Sequence, residues 1–169
     1  MNSFQPVDIK ALNDNFFTRI GKEWSLITAG NADKCNTMTA SWGGVGVLWN
    51  KDVVFSFIRK SRYTLEFVNN NDYYTVSFFG GDCMKELAYC GKVSGRDADK
   101  IAQTGLTPVF DREAPYFAQA DLVLICKKLY QQTMNADSFF DKADVEKFYG
   151  DNDWHDIIVG EIVAALKKS

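Results

Sequence analysis

The chain has 169 residues, the length of one domain, and so can bury ~70% of the surface its unfolded form exposes without needing staples. A formal charge of −3 and a pI near 5.2 weigh against nucleic acid as a partner, because phosphate backbones are held by a net basic face. No apolar run approaches the ~20 residues of a membrane span, and four cysteines without C-x-x-C spacing beside one histidine make no zinc set.

In chain order, Met1–Lys10 lacks the apolar stretch of a signal peptide, which predicts a cytoplasmic protein with Cys35, Cys83, Cys90 and Cys126 as free thiols. Asp8–Lys22 carries Ile9, Leu12, Phe16 and Ile20 at roughly helical spacing, so a short helix is expected there. Trp24–Ala29 reads as a strand closed by a Gly30-Asn31 turn. Thr37–Trp42 is a second strand, and Val45–Trp49 extends it or begins another after the Gly43-Gly44 bend. Val53–Ile58 is apolar except for Ser56 and reads as a central strand. Ser61 or Thr64 is expected to cap a helix that ends at Asn69-Asn70-Asn71-Asp72, before a strand over Tyr73–Phe79.

Gly80-Gly81 turns the chain, and Asp82 is placed to cap a helix containing Met84, Leu87 and Ala88. Asp97 is a good N-cap for a short helix over Ala98–Thr104, stopped by Gly105. Leu122–Tyr130 is a long strand, Val145–Tyr149 a short helix, and His155–Leu166 begins as a strand. There are no repeats, no low-complexity tracts and only three prolines, so a single domain over 1–169 is expected. Strands outnumber helices, and no G-x-G-x-x-G or G-x-x-x-x-G-K-[ST] loop follows one. The pattern favours a mainly β fold, an antiparallel barrel with peripheral helices, over a doubly wound parallel sheet.

Two segments carry chemistry. In Asn36-Thr37-Met38-Thr39-Ala40-Ser41-Trp42, alternation puts Thr37, Thr39 and Ser41 on one face and Met38, Ala40 and Trp42 on the other. In Arg59-Lys60-Ser61-Arg62-Tyr63-Thr64, three cations and several hydroxyls sit between a strand and a helix on an acidic chain, which suggests a small anion. Forked Arg donors, a Lys charge, hydroxyls and helix N-terminal amides together suit a phosphate monoester. The first segment equally fits a half-exposed edge strand with hydroxyls in water, and the second a solvated basic turn. Taken together they suit a flat, hydrogen-bonding ring with a phosphate tail, the shape of flavin mononucleotide (FMN). The loop Tyr89–Lys100 has Gly91 and Gly95 flanking polar residues and otherwise fits a helix connector. His155 is the lone histidine, and Asp153 and Asp156 would raise its pKa if close in space. No carboxylate pair and no Ser/His/Asp arrangement stands out.

These segments, in this order, resemble the flavin reductase-like family of FMN-binding split β-barrels that includes flavoredoxin. The resemblance runs from about Trp24 to about Leu166. It is carried by Asn36–Trp42, Ser61–Thr64, Ser94-Gly95-Arg96-Asp97 with Asp99-Lys100, Gly105–Pro108, and His155 ahead of Ile158-Val159-Gly160-Glu161. It implies a split β-barrel, a homodimer and noncovalent FMN near the dimer interface. The strand Met38–Trp42 would line the ring, Arg59–Thr64 would hold the phosphate, and the loop Ser94–Lys100 would close over the cofactor with Lys100 as a further phosphate contact. His155 would position the electron donor.

The implied activity is an NAD(P)H-dependent flavin reductase, with NADH or NADPH as donor. The alternative is a flavoredoxin-like electron carrier that meets a redox protein partner and has no nicotinamide site. A barrel that has lost flavin and serves only as an interaction domain ranks below both. A compact phosphate turn without a second nucleotide motif favours FMN over FAD. One departure stands out. Where many flavin reductases have Gly-Asp-His, this chain has Asp153-Trp154-His155, and the indole is placed either to stack on the ring or to narrow a nicotinamide site.

Overall fold

The computed structural model describes residues 4–169, so the first three residues of Met1–Lys10 lie outside it. Ten strands are present among the described residues: β1 (Phe4–Val7), β2 (Ser25–Gly30), β3 (Cys35–Ala40), β4 (Gly43–Leu48), β5 (Lys51–Arg59), β6 (Tyr73–Phe78), β7 (Pro108–Val109), β8 (Tyr116–Phe117), β9 (Leu122–Thr133) and β10 (His155–Lys168). Five α-helices lie among them: α1 (Phe16–Gly21), α2 (Tyr63–Asn70), α3 (Met84–Lys92), α4 (Lys100–Thr104) and α5 (Lys142–Tyr149). Eight strands form one antiparallel sheet in the order β3-β2-β6-β9-β10-β5-β4, with β1 also on β10; β7 and β8 pair separately. The mainly β architecture expected from the sequence is the one adopted.

The sheet must curl. Its two ends, β3 and β4, are joined by Ser41-Trp42 alone, and so small a link keeps Ala40 and Gly43 within about 11 Å. The ends approach without pairing, which leaves a barrel split beside Ser41 and Trp42. Curvature is concentrated in β10, which pairs along β9 with register shifts at Val159/Gly160 and Ile162/Ala164. At Gly160 a Cβ would stand 2.5 Å from the Tyr74 hydroxyl, so only glycine lets the bulge pack there.

Apolar side chains fill both faces of the central strands. Ile27, Tyr74, Val76, Leu124 and Ile158 face the barrel interior, while Leu26, Val123 and Ile125 meet Leu87, Leu106 and Phe117 outside it. This is why β2 and the first half of β9 are continuously buried.

Local chemistry corrects several expectations. Asp8–Lys22 is not one helix. Asp8 caps a 3-10 turn over Ile9–Ala11, and Asn15 accepts from the Thr18 amide to start α1 separately. Neither Ser61 nor Thr64 caps α2; Arg62 holds the N-cap position and makes no side-chain cap bond. Cys83, at φ +59°, precedes α3 in place of Asp82. Asp99 caps α4 instead of Asp97, accepting from the Ala102 amide. The strand β3 stops at Ala40, and β5 lies one strand in from the β4 end of the sheet.

Candidate functional site

The polar strand and the cationic turn, separated by the sixteen residues 43–58, meet in a two-part cleft at the split. One compartment, about 170 Å³, is lined by Met38–Trp42 together with Phe57, Arg59, Arg62 and His155. The other, about 250 Å³, is lined by Ser61–Thr64, the Lys92–Gly95 loop, Lys100 and Asp153. Met38, Arg59 and Arg62 belong to both. The register His155↔Arg59 between β10 and β5 brings the histidine and the turn to the same end of the barrel.

The larger compartment is cationic. Lys100 is 4% exposed, and its ammonium donates only to the Cys90 carbonyl, at 3.2 Å. Burial pushes its pKa down; the Cys90 thiol opposes this and Arg62 adds to it. Arg62 donates to the Gly91 carbonyl at 2.6 Å. Among the described residues no carboxylate lies within 4 Å of either cation. The α2 amides of Tyr63 and Thr64 also lack a protein acceptor, since Arg62 supplies no cap. Two unneutralised cations and an open helix N-terminus thus face one small cavity. Asn36 donates from Nδ2 to Thr64 Oγ1 at 2.8 Å, leaving the threonine proton free to point into the cavity. A Cβ on Gly95 would lie 2.1 Å from Asn36 Oδ1, so only glycine lets the loop close over this pair. Ser94 lines the cavity, and its Oγ accepts from the Arg96 amide.

The smaller compartment is bordered by a buried histidine. His155 is 6% exposed, and its pKa is lowered to about 4 by burial first and then by Arg59 and Arg62, with Asp153 opposing. Asp153 does raise it as expected but is outweighed. Asp156 does not take part. Strand alternation turns it to the opposite face, where it accepts from Thr133 and Gln131 and pairs with Lys60 at 3.6 Å. His155 Nδ1 lies 2.7 Å from the Tyr149 hydroxyl. That hydroxyl's other neighbour is the weakly accepting Met134 thioether at 3.5 Å. The phenol therefore donates to Nδ1, and the ring proton sits on Nε2. Trp42, half exposed, lies 5.4 Å from the imidazole centroid to centroid.

Several sequence-predicted residues have other duties. Thr37 is fully buried on the outer, helix-covered face of β3, bonded to Thr28 Oγ1 and the Ile27 carbonyl. The Thr39 hydroxyl donates to the Leu87 carbonyl of α3. Of the hydroxyls expected to face a ring, only that of Ser41 has no protein partner, and the backbone of Met38–Trp42 supplies the other polar groups. Asn36 reaches the cleft only through Thr64. It borders a wider depression of about 1020 Å³ between the β2–β3 turn and α4. Lys60 points to solvent and Asp156 and does not line the cleft. Arg59 lines both compartments, but its guanidinium is held by the Asp153 and Phe148 carbonyls at 2.7 and 3.0 Å.

Trp154 neither reaches the cleft nor narrows it. It stacks on Tyr149 at 4.5 Å and 11°, backing the phenol that orients His155. The sequence reading missed Phe57 and the carboxylate of Asp153 as cleft-lining groups, and Tyr149 behind His155. Alternation along β5 puts Phe57 beside Arg59 and could have found it; nothing local signals Tyr149.

Comparison with known proteins bears on the family and the fold. A family model described as a flavin reductase like domain matches residues 17–169. A search of curated proteins gives no significant match. Among solved structures, an FMN-binding domain of a flavin reductases-like enzyme from Shewanella baltica is 16% identical with a TM-score of 0.69, covering 98% of this chain and 78% of its own. Flavoredoxin from Methanosarcina acetivorans is 26% identical with a TM-score of 0.65, over 94% and 74%. A Streptomyces globisporus NADH:FAD oxidoreductase, solved with NAD and FAD fragments, is 18% identical with a TM-score of 0.62, over 87% and 77%.

Proposed function

The chain belongs to the flavin reductase-like family, and from that premise we propose that it is an FMN-binding oxidoreductase reduced by NADH or NADPH. The observation that carries the reading is Lys100, a buried ammonium without a carboxylate, beside Arg62 and the open N-terminus of α2. Keeping a cation buried and unpaired is costly unless an anion arrives to neutralise it. A phosphate monoester fits the cavity: Arg62, Lys100, the Tyr63 and Thr64 amides, the Thr64 hydroxyl, and Ser61 and Ser94 are its donors.

The ring then lies along Met38–Trp42, where backbone amides and Ser41 meet its polar edge, and Trp42 and Phe57 cover apolar surface. The bound flavin supplies the centre that accepts hydride and passes electrons onward. The protein's own residues position it. His155 offers a neutral N–H donor, Tyr149 fixes its tautomer, and the arginines hold positive charge near the ring without a mobile proton. No side chain is required as a general base. The chain acts in this reading as a cytoplasmic homodimer. The end strand β4, with exposed Val47, and nearby exposed Phe17, Trp42 and Trp49 supply apolar surface for a second copy. FMN is favoured over FAD by the size of the phosphate cavity.

The likeness to flavoredoxin at 26% identity supports a second reading, an electron carrier reduced by a protein partner. Protein given FMN is expected to turn yellow and bind about one flavin per chain. Rapid bleaching on stopped-flow mixing with NADH or NADPH supports the reductase, and bleaching only by a reduced protein donor supports the carrier. A preparation that stays colourless after addition of FMN ends both.

A further inference from the structure

The donors a phosphate needs are not all free. Ser61 sits at the mouth of the anion compartment, and both of its donors are already taken by one carboxylate. Its amide donates to Asp153 Oδ1 at 2.9 Å and its hydroxyl to Asp153 Oδ2 at 2.6 Å. The two carboxylate oxygens thus stand where two phosphate oxygens would.

This carboxylate cannot leave the neighbourhood by moving its backbone. The Asp153 carbonyl accepts from Arg59 at 2.7 Å, and the Trp154 carbonyl accepts from the Lys60 amide at 3.0 Å. The backbone is therefore held at Asp153 and just after it, which leaves the side-chain rotamer as the easier way for the carboxylate to move. When a dianionic phosphate enters, the negative charge of Asp153 stays beside it.

Resting on the FMN reading, we propose that Asp153 is a specificity-determining residue: an internal anion that competes with the flavin phosphate for Ser61 and holds FMN affinity down towards that of riboflavin. The competition falls on the phosphate end, because Asp153 lines the phosphate compartment and not the ring compartment. The chain consequently takes flavin as an exchanging substrate, with or without its phosphate. It does not hold FMN as a permanent group. Lys100 and Arg62 attract the phosphate, and Asp153 limits how long it stays.

The test compares two flavins in one protein. Fluorescence-quenching titrations at fixed ionic strength give the dissociation constants of FMN and riboflavin for wild type and for Asp153→Asn, which keeps the shape and removes the charge. FMN binding is expected to tighten about tenfold (~1.4 kcal/mol), with riboflavin within twofold and the FMN off-rate slower. Asp153→Ser, which also removes the charge, is expected to act in the same direction and serves if the first variant does not fold. Unchanged or weakened FMN binding in a variant that still binds riboflavin overturns the proposal, as does an equal gain for both flavins. Failure of wild type to bind either flavin is a different result. It removes the FMN reading itself, and the proposal with it.

Discussion

The chain contains a single histidine, so one imidazole can be followed without ambiguity through a pH titration. Burial, then Arg59, lowers the His155 pKa from an ordinary 6.5 to about 4, against the opposing pull of Asp153. Between those two pH values the unfolded chain binds a proton that the folded chain refuses. Stability therefore falls as the pH drops from 6.5 towards 4, and above 6.5 the group contributes nothing to the pH dependence. A gap of about 2.5 pH units, at ~1.4 kcal/mol for each, is worth roughly 3 kcal/mol at pH 4. Asp156 does not confuse this window. Burial raises its pKa, but hydrogen bonds from Thr133 and Gln131 and the charge of Lys60 outweigh that, so its contribution is lost only below about 3.8. The assay is the imidazole C2–H chemical shift against pH, paired with urea unfolding at pH 7 and pH 4.5. The shift should stay that of a neutral ring to near pH 4, and the fall in stability should vanish in His155→Gln. A titration midpoint near 6.5 in the folded protein would show the ring to be solvated or paired with a carboxylate, and would refute the neutral donor assigned to the ring compartment.

Three substitutions divide the site further. Arg62→Ala should weaken FMN by ~1.5–3 kcal/mol, the scale of a charge-assisted hydrogen bond, and leave riboflavin alone; an equal loss for both flavins in calorimetric titration rejects the phosphate role. Lys100→Met should weaken FMN by a similar ~1.5–3 kcal/mol. It should change unliganded stability by less than ~1 kcal/mol, since relief of a buried unpaired cation offsets the lost bond to the Cys90 carbonyl. A large loss of unliganded stability in urea would mean the lysine is chiefly a helix clamp. Tyr149→Phe leaves His155 Nδ1 without its donor, so it should cost ~1–3 kcal/mol of stability and slow reduction while FMN affinity holds. Unchanged stopped-flow kinetics would dismiss the phenol as a positioning residue.

What the sequence made legible followed from local pattern. Alternating and continuous apolar runs placed β2, β5, β6, β9 and β10, because a strand buried on one or both faces writes its burial into its own residues. The order of short polar segments revealed the family and the two ends of the cleft. The misses share a cause, contacts made far along the chain. The hydroxyls of Thr37 and Thr39 looked free, yet Thr28 and the Leu87 carbonyl cover that face of β3. Arg59 looked like a phosphate donor, yet carbonyls near residue 150 occupy it. Trp154 looked placed to stack on the ring or to narrow a nicotinamide site, yet its partner Tyr149 comes from the preceding helix and draws it away from the cleft. Asp8–Lys22 had helical spacing because Ile9, Leu12, Phe16 and Ile20 all pack on one core; the two caps that break it are weaker signals than the hydrophobic period.

The same topology that splits the barrel also fixes the chemistry at the split. Only the β5–β10 register decides that His155, and not Asp156, faces the ring compartment, because neighbouring residues on a strand point to opposite faces. A slip of one residue would put a carboxylate beside the ring and carry the imidazole to the outer face near Thr133 and Lys60. Two features pin the register against that slip. Gly160 admits the Tyr74 hydroxyl at the bulge, where any side chain would collide, and Arg59 is tied to the Asp153 and Phe148 carbonyls at the mouth. Arg59 therefore serves the site through its hold on β10. It holds the β10 entry in place, lowers the His155 pKa by its charge, and keeps the Asp153 carboxylate against Ser61. One guanidinium thus couples the ring end to the phosphate end, so a change at Arg59 has to disturb both together, whereas changes at Lys100 or Tyr149 separate them.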